Sequence, residues 1–132
     1  MNGNASSTSN PSGVQGVCPI GWHLPSDAEW RELTNYLGGD SIAGGKLKET
    51  GITHWYSPNT GATNKTEFTA LPGGALNSFG AFGNESYDGF WWSATENTDE
   101  NTWCITLNSY RNSVDIGDIN KIAGLSVRCV KD

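Results

Sequence analysis

Two histidines, three cysteines and two oxygen-rich runs are the parts of this chain whose residue types could do chemistry. His23 and His54 each have a carboxylate nearby in sequence, Asp27 and Glu49 respectively. A catalytic pair needs a nucleophile within reach of a base, and Cys104 could offer its thiol to either histidine. Neither histidine has the spacing of a metal ligand, and no nucleophile-elbow or zinc-protease motif is present. We therefore expect no enzymatic activity and no catalytic residues.

The two oxygen-rich runs are Glu96–Asn101 and Asp115–Asn120. Calcium takes about 6 to 8 oxygen ligands, and an EF-hand loop adds an internal glycine and a closing glutamate at fixed spacing. Neither run has that spacing, so we interpret both as solvated turns. A calcium site is the alternative interpretation. We expect no metal and no other cofactor.

The aromatic residues could form either a ligand platform or a core. The segment Phe90–Cys104 opens with Trp91 and Trp92 and closes with Trp103. Adjacent strand residues face opposite sides of a sheet, so one of the paired tryptophans can be core while the other covers the second face. Six tryptophans in a chain with few aliphatic residues are mostly needed as core. We predict Trp92 and Trp103 as core anchors, and three tryptophans as largely buried: Trp22, Trp30 and Trp92.

The cysteines are Cys18, Cys104 and Cys129, and their spacing fits no zinc motif. An odd number allows at most one intramolecular bridge and leaves one thiol. A bridge from Cys18 to Cys129 would tie the two ends of the domain together and would suit an extracytoplasmic protein. Three buried reduced thiols are an equally good interpretation of the count alone.

The elements that must position these residues are predicted from local patterns. Ser26 followed by Glu29 makes a capping box, so the sequence predicts a helix over Asp27–Leu37, after a short strand over Ile20–Leu24. A weaker helix is expected within residues 41–51, where two adjacent glycines lower helix propensity. From Phe90 onward the apolar residues alternate, which predicts strands that include the last nine residues. Early helices and a late sheet predict an α+β fold.

Composition limits the class of protein and its partners. The chain has 132 residues, a net charge of -6 and no basic run, which argues against nucleic-acid binding. No stretch is apolar enough for a membrane span. Residues 1–17 are rich in Ser, Asn and Gly and predict a flexible linker, followed by one domain over residues 18–132.

Six motifs, in order along residues 18–132, resemble the Fibrobacter succinogenes major paralogous domain family. They read "CPIGWHLPSDAEW", "AGGKLKETG", "HWYSPNTGATN", "FTALPGG", "GFWWSATE" and "GLSVRCVKD". The resemblance implies a C-type-lectin-like fold, in which one or two early helices pack on a twisted antiparallel sheet with long irregular loops. It also implies a last strand running beside the first, so that the termini are adjacent and Trp22 and Leu24 lie in the core. That placement brings Cys18 near Cys129 and predicts a disulfide between them, with Cys104 free.

The resemblance implies a location and a function class as well. The family is found in bacterial surface and lipoprotein-like proteins, so we expect an extracellular or cell-surface location, with a lipid anchor on a full-length parent surface protein. The calcium-lectin ligand motifs are absent, and so is the cysteine or metal apparatus of the related formylglycine-generating enzymes. We expect an extracellular ligand-binding or adhesion module whose partner is an unidentified protein or glycan. The alternatives are a structural domain without a ligand and a formylglycine-generating type of enzyme.

The span between Trp103 and Gly124 departs from the family pattern. Many of its residue types are those reached by changing adenines in asparagine codons, as in the variable proteins of diversity-generating retroelements. The span mixes Tyr, Asn and Asp with little apolar periodicity, which favours an exposed binding surface on a fixed scaffold. The predicted ligand-binding residues are Cys104, Thr106, Tyr110, Asn112, Asp115, Asp118 and Asn120.

Overall fold

The computed structural model describes residues 5–132 of the chain. Two helices come early, α1 over Asp27–Tyr36 and α2 over Asp40–Leu47. The strands within the described residues are β1 Trp22–His23, β2 Gly73–Leu76, β3 Phe82–Glu85, β4 Asp88–Glu96, β5 Asn101–Asn108, β6 Val114–Asn120 and β7 Val130–Lys131. The predicted α+β class is confirmed.

Five strands form the main sheet, in the order β3-β2-β4-β5-β6. Neighbouring strands are antiparallel except β2 and β4, which pair in parallel at Gly74 and Gly89. The sheet is therefore mixed, and the prediction of an antiparallel sheet is wrong at this pair. The reason is connectivity: a tight turn makes β4 antiparallel to β3, and β3 is already antiparallel to β2.

Helix α1 forms where its capping pattern predicts it. The Ser26 hydroxyl accepts a hydrogen bond from the Glu29 amide at 3.2 Å, and the Glu29 carboxylate accepts one from the Ser26 amide at 3.0 Å. The two bonds satisfy amides that would otherwise have no partner at the helix start. The helix ends at Tyr36, one residue before the predicted end, and Gly38 follows with φ 98°.

The glycine pair in α2 serves close packing. Gly44 and Gly45 face the β5–β6 loop, and the Gly45 amide donates to the Asn112 carbonyl at 3.0 Å. A Cβ at Gly44 would overlap the Ser113 carbonyl, and one at Gly45 would overlap the Asn112 side chain and the Gly61 carbonyl. The absence of side chains therefore lets α2 lie directly against the loop, which outweighs the propensity cost of glycine in a helix.

Two hydrophobic clusters fill the interior. The larger lies between the helices and one face of the sheet and includes Trp30, Trp55, Trp91 and Ile105, all at most 6% exposed. The smaller includes Val14, Cys18, Leu24 and Ala94, and Trp92 packs against its edge.

The tryptophan predictions are confirmed only in part. Trp30 is buried, while Trp22 is 39% exposed and Trp92 and Trp103 are partly buried. Within β1 the burial alternates, and His23 takes the inward position next to Trp22. The prediction that Trp22 lies in the core is therefore wrong by one residue of strand register.

The two ends of the domain meet, as predicted. β1 pairs with β7, and Cys18 and Cys129 form a disulfide with their Cα atoms 5.8 Å apart. Cys104 is free and buried. The single long final strand is not observed: Ser126 bonds to β4 through Phe90 and Trp92 before the chain crosses to β1. A single ladder of strand hydrogen bonds cannot continue where the chain passes from β4 to β1.

The prediction of a flexible linker over residues 1–17 is wrong for the part that the structure holds in place; residues 1–4 lie outside the described residues. Ser7 exchanges backbone and side-chain hydrogen bonds with Ala94 and Thr95. Val14 is 5% exposed and belongs to the smaller cluster. Composition alone missed this because the hydrogen bonds are made by backbone and serine groups rather than by apolar side chains.

Within residues 5–132, neither helix has the length and apolar character required to cross a bilayer.

Candidate functional site

The β5–β6 hairpin carries the seven predicted ligand residues, but the strand register divides them. Cys104 pairs with Trp92 on one side and Gly117 on the other, and Thr106 pairs with Asp115. Directly paired residues share a sheet face and successive residues alternate. Cys104, Thr106 and Asp115 therefore lie on the Trp92 face, while Asp118 and Asn120 lie on the opposite face.

Cys104 is not an exposed contact. Its side chain is 4% exposed, so its prediction as a ligand-binding residue is wrong. Burial raises the pKa of the Cys104 thiol, and the Asp118 charge adds to that effect against an opposing hydrogen bond from Thr106. A thiol with a raised pKa stays protonated at neutral pH and is a poor nucleophile. The residue therefore acts as a small core side chain.

Asp118 and Asn120 lie at the end of β6 that is remote from the hairpin loop. Asp118 accepts hydrogen bonds from Asn101 at 2.8 Å and Asn97 at 3.2 Å, and these lower its pKa. The Asn120 side chain accepts from the Ile122 amide at 3.0 Å and closes a turn. Four and six residue steps of strand put Asp118 and Asn120 roughly 13 Å and roughly 20 Å from Val114. They cannot share a compact site with Tyr110.

Asn112 has a packing role in the hairpin loop. It is partly buried, and its side chain lies against Gly45 and Gly61, where a Cβ on either glycine would overlap it. The adjacent Arg111 pairs with Asp115 at 3.0 Å on the surface. Asn112 thus fixes the loop that presents Tyr110.

Tyr110 belongs to a cluster of three exposed aromatic rings, here called the tyrosine patch: Tyr56, Tyr87 and Tyr110. Tyr56 and Tyr87 stack with centroids 4.6 Å apart, and Tyr110 lies 6.3 Å from the first ring and 6.4 Å from the second. The three side chains are 49%, 38% and 53% exposed. Burial, and then the two neighbouring tyrosines, raise the pKa of Tyr87, which keeps its phenol neutral.

Three separate loops bring the rings together. Tyr87 lies in the β3–β4 turn, Tyr110 in the β5–β6 loop, and Tyr56 in the long connection after α2. The Tyr56 amide donates to the Ser86 carbonyl at 2.7 Å, and the Ser109 amide donates to the Tyr87 carbonyl at 2.9 Å. These backbone hydrogen bonds join the loops directly to one another, so the three rings are held in a fixed arrangement.

A buried lysine anchors the loops under the patch. Lys48 is fully buried, and its ammonium donates to three carbonyls: Thr60 at 2.9 Å, Asn108 at 3.0 Å and Arg111 at 2.8 Å. Burial lowers its pKa to about 8. A lysine is rarely buried without a carboxylate, and here the carbonyl groups of two loops solvate it instead.

Both histidines contact carboxylates. The His23 ring nitrogens lie 2.6 Å from Asp132 and 2.7 Å from Glu29, whose other oxygen accepts from the Ser12 and Ser26 amides. The sequence neighbour Asp27 is not its partner. His54 pairs with Glu49 at 2.8 Å on the surface. Among residues 5–132 no three acidic, histidine or cysteine side chains converge on a point that could hold a metal.

Three clefts lie elsewhere on the domain, and no residue of the tyrosine patch lines any of them. One of about 220 Å³ lies beside Leu24, Trp92 and Val127, with Lys121 at its rim. The Lys121 ammonium already pairs with Glu96 at 2.9 Å. That cleft therefore offers an apolar wall with no available charged group.

Sequence reasoning missed Tyr56, Tyr87 and Lys48. Both tyrosines lie next to turn-rich stretches, and their pairing depends on contacts between loops that are far apart in sequence. No local periodicity records such contacts. Only the tyrosine content of these loops, a residue type favoured at binding surfaces, could have drawn attention to them.

Comparison with known proteins gives one match. The model of the Fibrobacter succinogenes major domain matches residues 4–131, which is nearly the whole chain. No curated protein and no solved structure matches the chain. The matched range starts before Cys18, in agreement with the packed Ser7–Val14 segment. This chain belongs to the Fibrobacter succinogenes major domain family.

Proposed function

We propose that this domain is an extracellular ligand-binding or adhesion module of a bacterial surface protein, and that the tyrosine patch is its ligand surface. The observation that carries the proposal is the patch itself: three rings, each more than a third exposed, on loops that are tied together. Soluble domains seldom leave clustered aromatic rings exposed without a partner. Tyrosine gives large contact area at a low cost in side-chain entropy.

Two further observations agree with this proposal. The Cys18–Cys129 disulfide suits an oxidising, extracytoplasmic location, and membership of this bacterial family suggests a surface protein domain. A lipid anchor, a parent surface protein and a C-type-lectin-like ancestry remain parts of the proposal.

The proposal assigns the module no catalytic role. The ionisable groups that sequence analysis considered are engaged elsewhere: Cys104 is buried with a raised pKa, and His23 is held between two carboxylates. A structural domain without a ligand is the alternative, but it gives no reason for exposing Tyr56, Tyr87 and Tyr110 on one surface.

A retroelement origin of the Trp103–Gly124 span is a separate part of the proposal. The span includes Ile105, which is 1% exposed, as well as exposed positions such as Asp118. Diversification confined to ligand contacts would therefore touch only part of it. Near-copies of this span in the same genome, differing at adenines, would establish that origin.

The test is a binding screen with a built-in control. A labelled tetramer of the domain is applied to arrays of extracellular proteins and glycans and to intact cells. We expect binding that is lost when Tyr56, Tyr87 and Tyr110 are all replaced by serine and retained in Tyr36→Ser, whose tyrosine is 87% exposed on α1. Binding that survives the triple substitution, or no binding to any surface, would contradict the proposal.

A further inference from the structure

Two carboxylates beside the tyrosine patch form no ion pair within the described residues. Glu85 and Asp88 flank Tyr87 in the β3–β4 turn. Among residues 5–132 neither carboxylate forms an ion pair, although Asp88 accepts a hydrogen bond from Asn108 at 2.6 Å. Only Asp115, beside the loop, is paired, to Arg111. The whole chain carries a net charge of -6.

The rings of the patch also lack a cation, in contrast to other rings of this domain. Arg31 lies over Trp103 at 6.0 Å, Lys48 over Trp55 at 5.4 Å and Arg128 over Phe68 at 4.1 Å. Within the described part of the chain, no cation lies over a ring of the patch. The face of a tyrosine ring carries negative potential and attracts a guanidinium group, more so when water is excluded.

The exposure of the three rings indicates how large the partner must be. Small ligands bind in concave sites that cover most of their surface, whereas these rings are 38% to 53% exposed and line none of the three clefts described above. An extended partner can cover all three rings at once. The hydroxyl groups of a neutral saccharide could donate to these carboxylates but would leave their charge unneutralised, whereas a basic protein surface would both donate to them and neutralise them.

We infer that the partner of the tyrosine patch is a basic protein surface whose arginine side chains stack on Tyr56, Tyr87 and Tyr110 and pair with Glu85 and Asp88. This inference rests on the proposed function and names the chemistry of the ligand. Arginine suits the surface better than lysine because its planar guanidinium can stack on a ring and donate to a carboxylate with the same group. Tyrosine and arginine are also the residues enriched where binding energy concentrates at protein interfaces.

The experiment is a titration of the isotopically labelled domain, followed by amide chemical shifts. The probe is an acetylated peptide of alternating glycine and arginine, and the comparisons are the same peptide with lysine and the neutral saccharide maltohexaose. We expect the arginine peptide to shift the amides of residues 56, 85–88 and 109–111 and to bind more tightly than the lysine peptide. Added salt should weaken binding without moving its location.

Variants of the domain distinguish the contribution of the rings to peptide binding from that of the carboxylates. Tyr110→Ala should weaken binding of the arginine peptide by about threefold to tenfold, the effect of losing one cation–π contact. Glu85→Gln should weaken it by a smaller factor and reduce the salt dependence. Tyr36→Ala should leave binding unchanged. The amide spectrum of each variant reports directly whether it is folded.

Three results would overturn the inference. One is a set of shifts spread over the acidic surface, with Tyr36→Ala as damaging as Tyr110→Ala. Another is maltohexaose shifting the patch amides while the arginine peptide does not, which would make the patch a saccharide surface. The third is no shift with any probe. If the array screen still shows binding that depends on the patch, only the partner's chemistry is wrong; if the screen also fails, the proposed function is wrong.

Discussion

Removal of the Lys48 ammonium is the most informative change for the architecture under the tyrosine patch. Lys48→Met keeps a similar volume but removes the donor to three carbonyls. The Asn108 carbonyl retains a hydrogen bond from the Arg111 amide at 3.3 Å, so the Thr60 and Arg111 carbonyls are the two that lose their donor. A buried acceptor without a partner costs about 1 to 3 kcal/mol. Lys48→Met also removes the cost of burying a charge, so the net change in the free energy of unfolding near neutral pH should be modest.

The pH dependence gives a sharper magnitude. The pKa of Lys48 is lowered to about 8, against roughly 10.4 for an unfolded chain. Between these values the unfolded state binds more protons than the folded state, so stability rises with pH. The full difference is worth ~3 kcal/mol, of which ~2 kcal/mol is regained between about pH 7.5 and about pH 9.5. Lys48→Met lacks this gain.

Urea unfolding of both proteins at about pH 7.5 and about pH 9.5 measures the effect. The destabilisation caused by Lys48→Met should be larger by ~2 kcal/mol at the higher pH. The raised pKa of the Cys104 thiol lowers stability over the same range, but it is present in both proteins and cancels in the difference. Lys65→Met, at an exposed lysine, is the matched control and should show no such change. Equal pH dependence in wild type and Lys48→Met would refute the reasoning, because the three carbonyls would then fully replace water around the ammonium.

Three further predictions concern the scaffold. Burial tends to lower the pKa of His23, but its two carboxylate partners outweigh that effect and raise it. The stability advantage of wild type over His23→Gln should therefore be full below about pH 6.5 and shrink as pH rises. Thermal melts across that pH range measure it. An advantage that is constant with pH would contradict the ion pairs. Gly45→Ala should lower the free energy of unfolding by about 1 to 3 kcal/mol, because the added Cβ forces the hairpin loop away from α2. The control is Gly117→Ala, whose added Cβ meets open space and should change that free energy by less than about 1 kcal/mol. Equal effects of the two variants would argue against the close approach of the loop to α2. Alkylation in denaturant should label a single thiol before reduction and three after it, by intact mass, and any other count would be inconsistent with the Cys18–Cys129 bridge.

Local patterns were sufficient for the elements whose causes are local. The capping box at Ser26 and Glu29 places the start of α1, and apolar alternation places β5 and β6. The disulfide followed from the family resemblance rather than from spacing. These features depend on residues a few positions apart or on a shared topology, and both can be read from a sequence.

The rest depends on contacts between distant segments. Nothing in the residues around Lys48 shows that three carbonyls from two loops surround it, and the general exposure of lysine argues the other way. The glycine pair of α2 counts against a helix until the hairpin loop is seen to press against it. The division of the predicted ligand residues between two faces follows from pairing register, which the sequence of one strand does not specify.

The joining of the two ends by a disulfide also has a mechanical consequence. Strand β4 begins at Asp88, beside the tyrosine patch, and ends at Glu96, beside Ser6 and Ser7, so the patch and the terminal segments lie at opposite ends of that strand. Apart from the Ser7–Val14 segment, which is bonded to β4 at Ala94 and Thr95, tension applied on either side of the bridge is carried across the Cys18–Cys129 bond rather than through the sheet. The Ser7–Val14 segment precedes the bridge and would peel away first, while Tyr56, Tyr87 and Tyr110 keep their arrangement. This arrangement would keep the proposed ligand surface intact under drag.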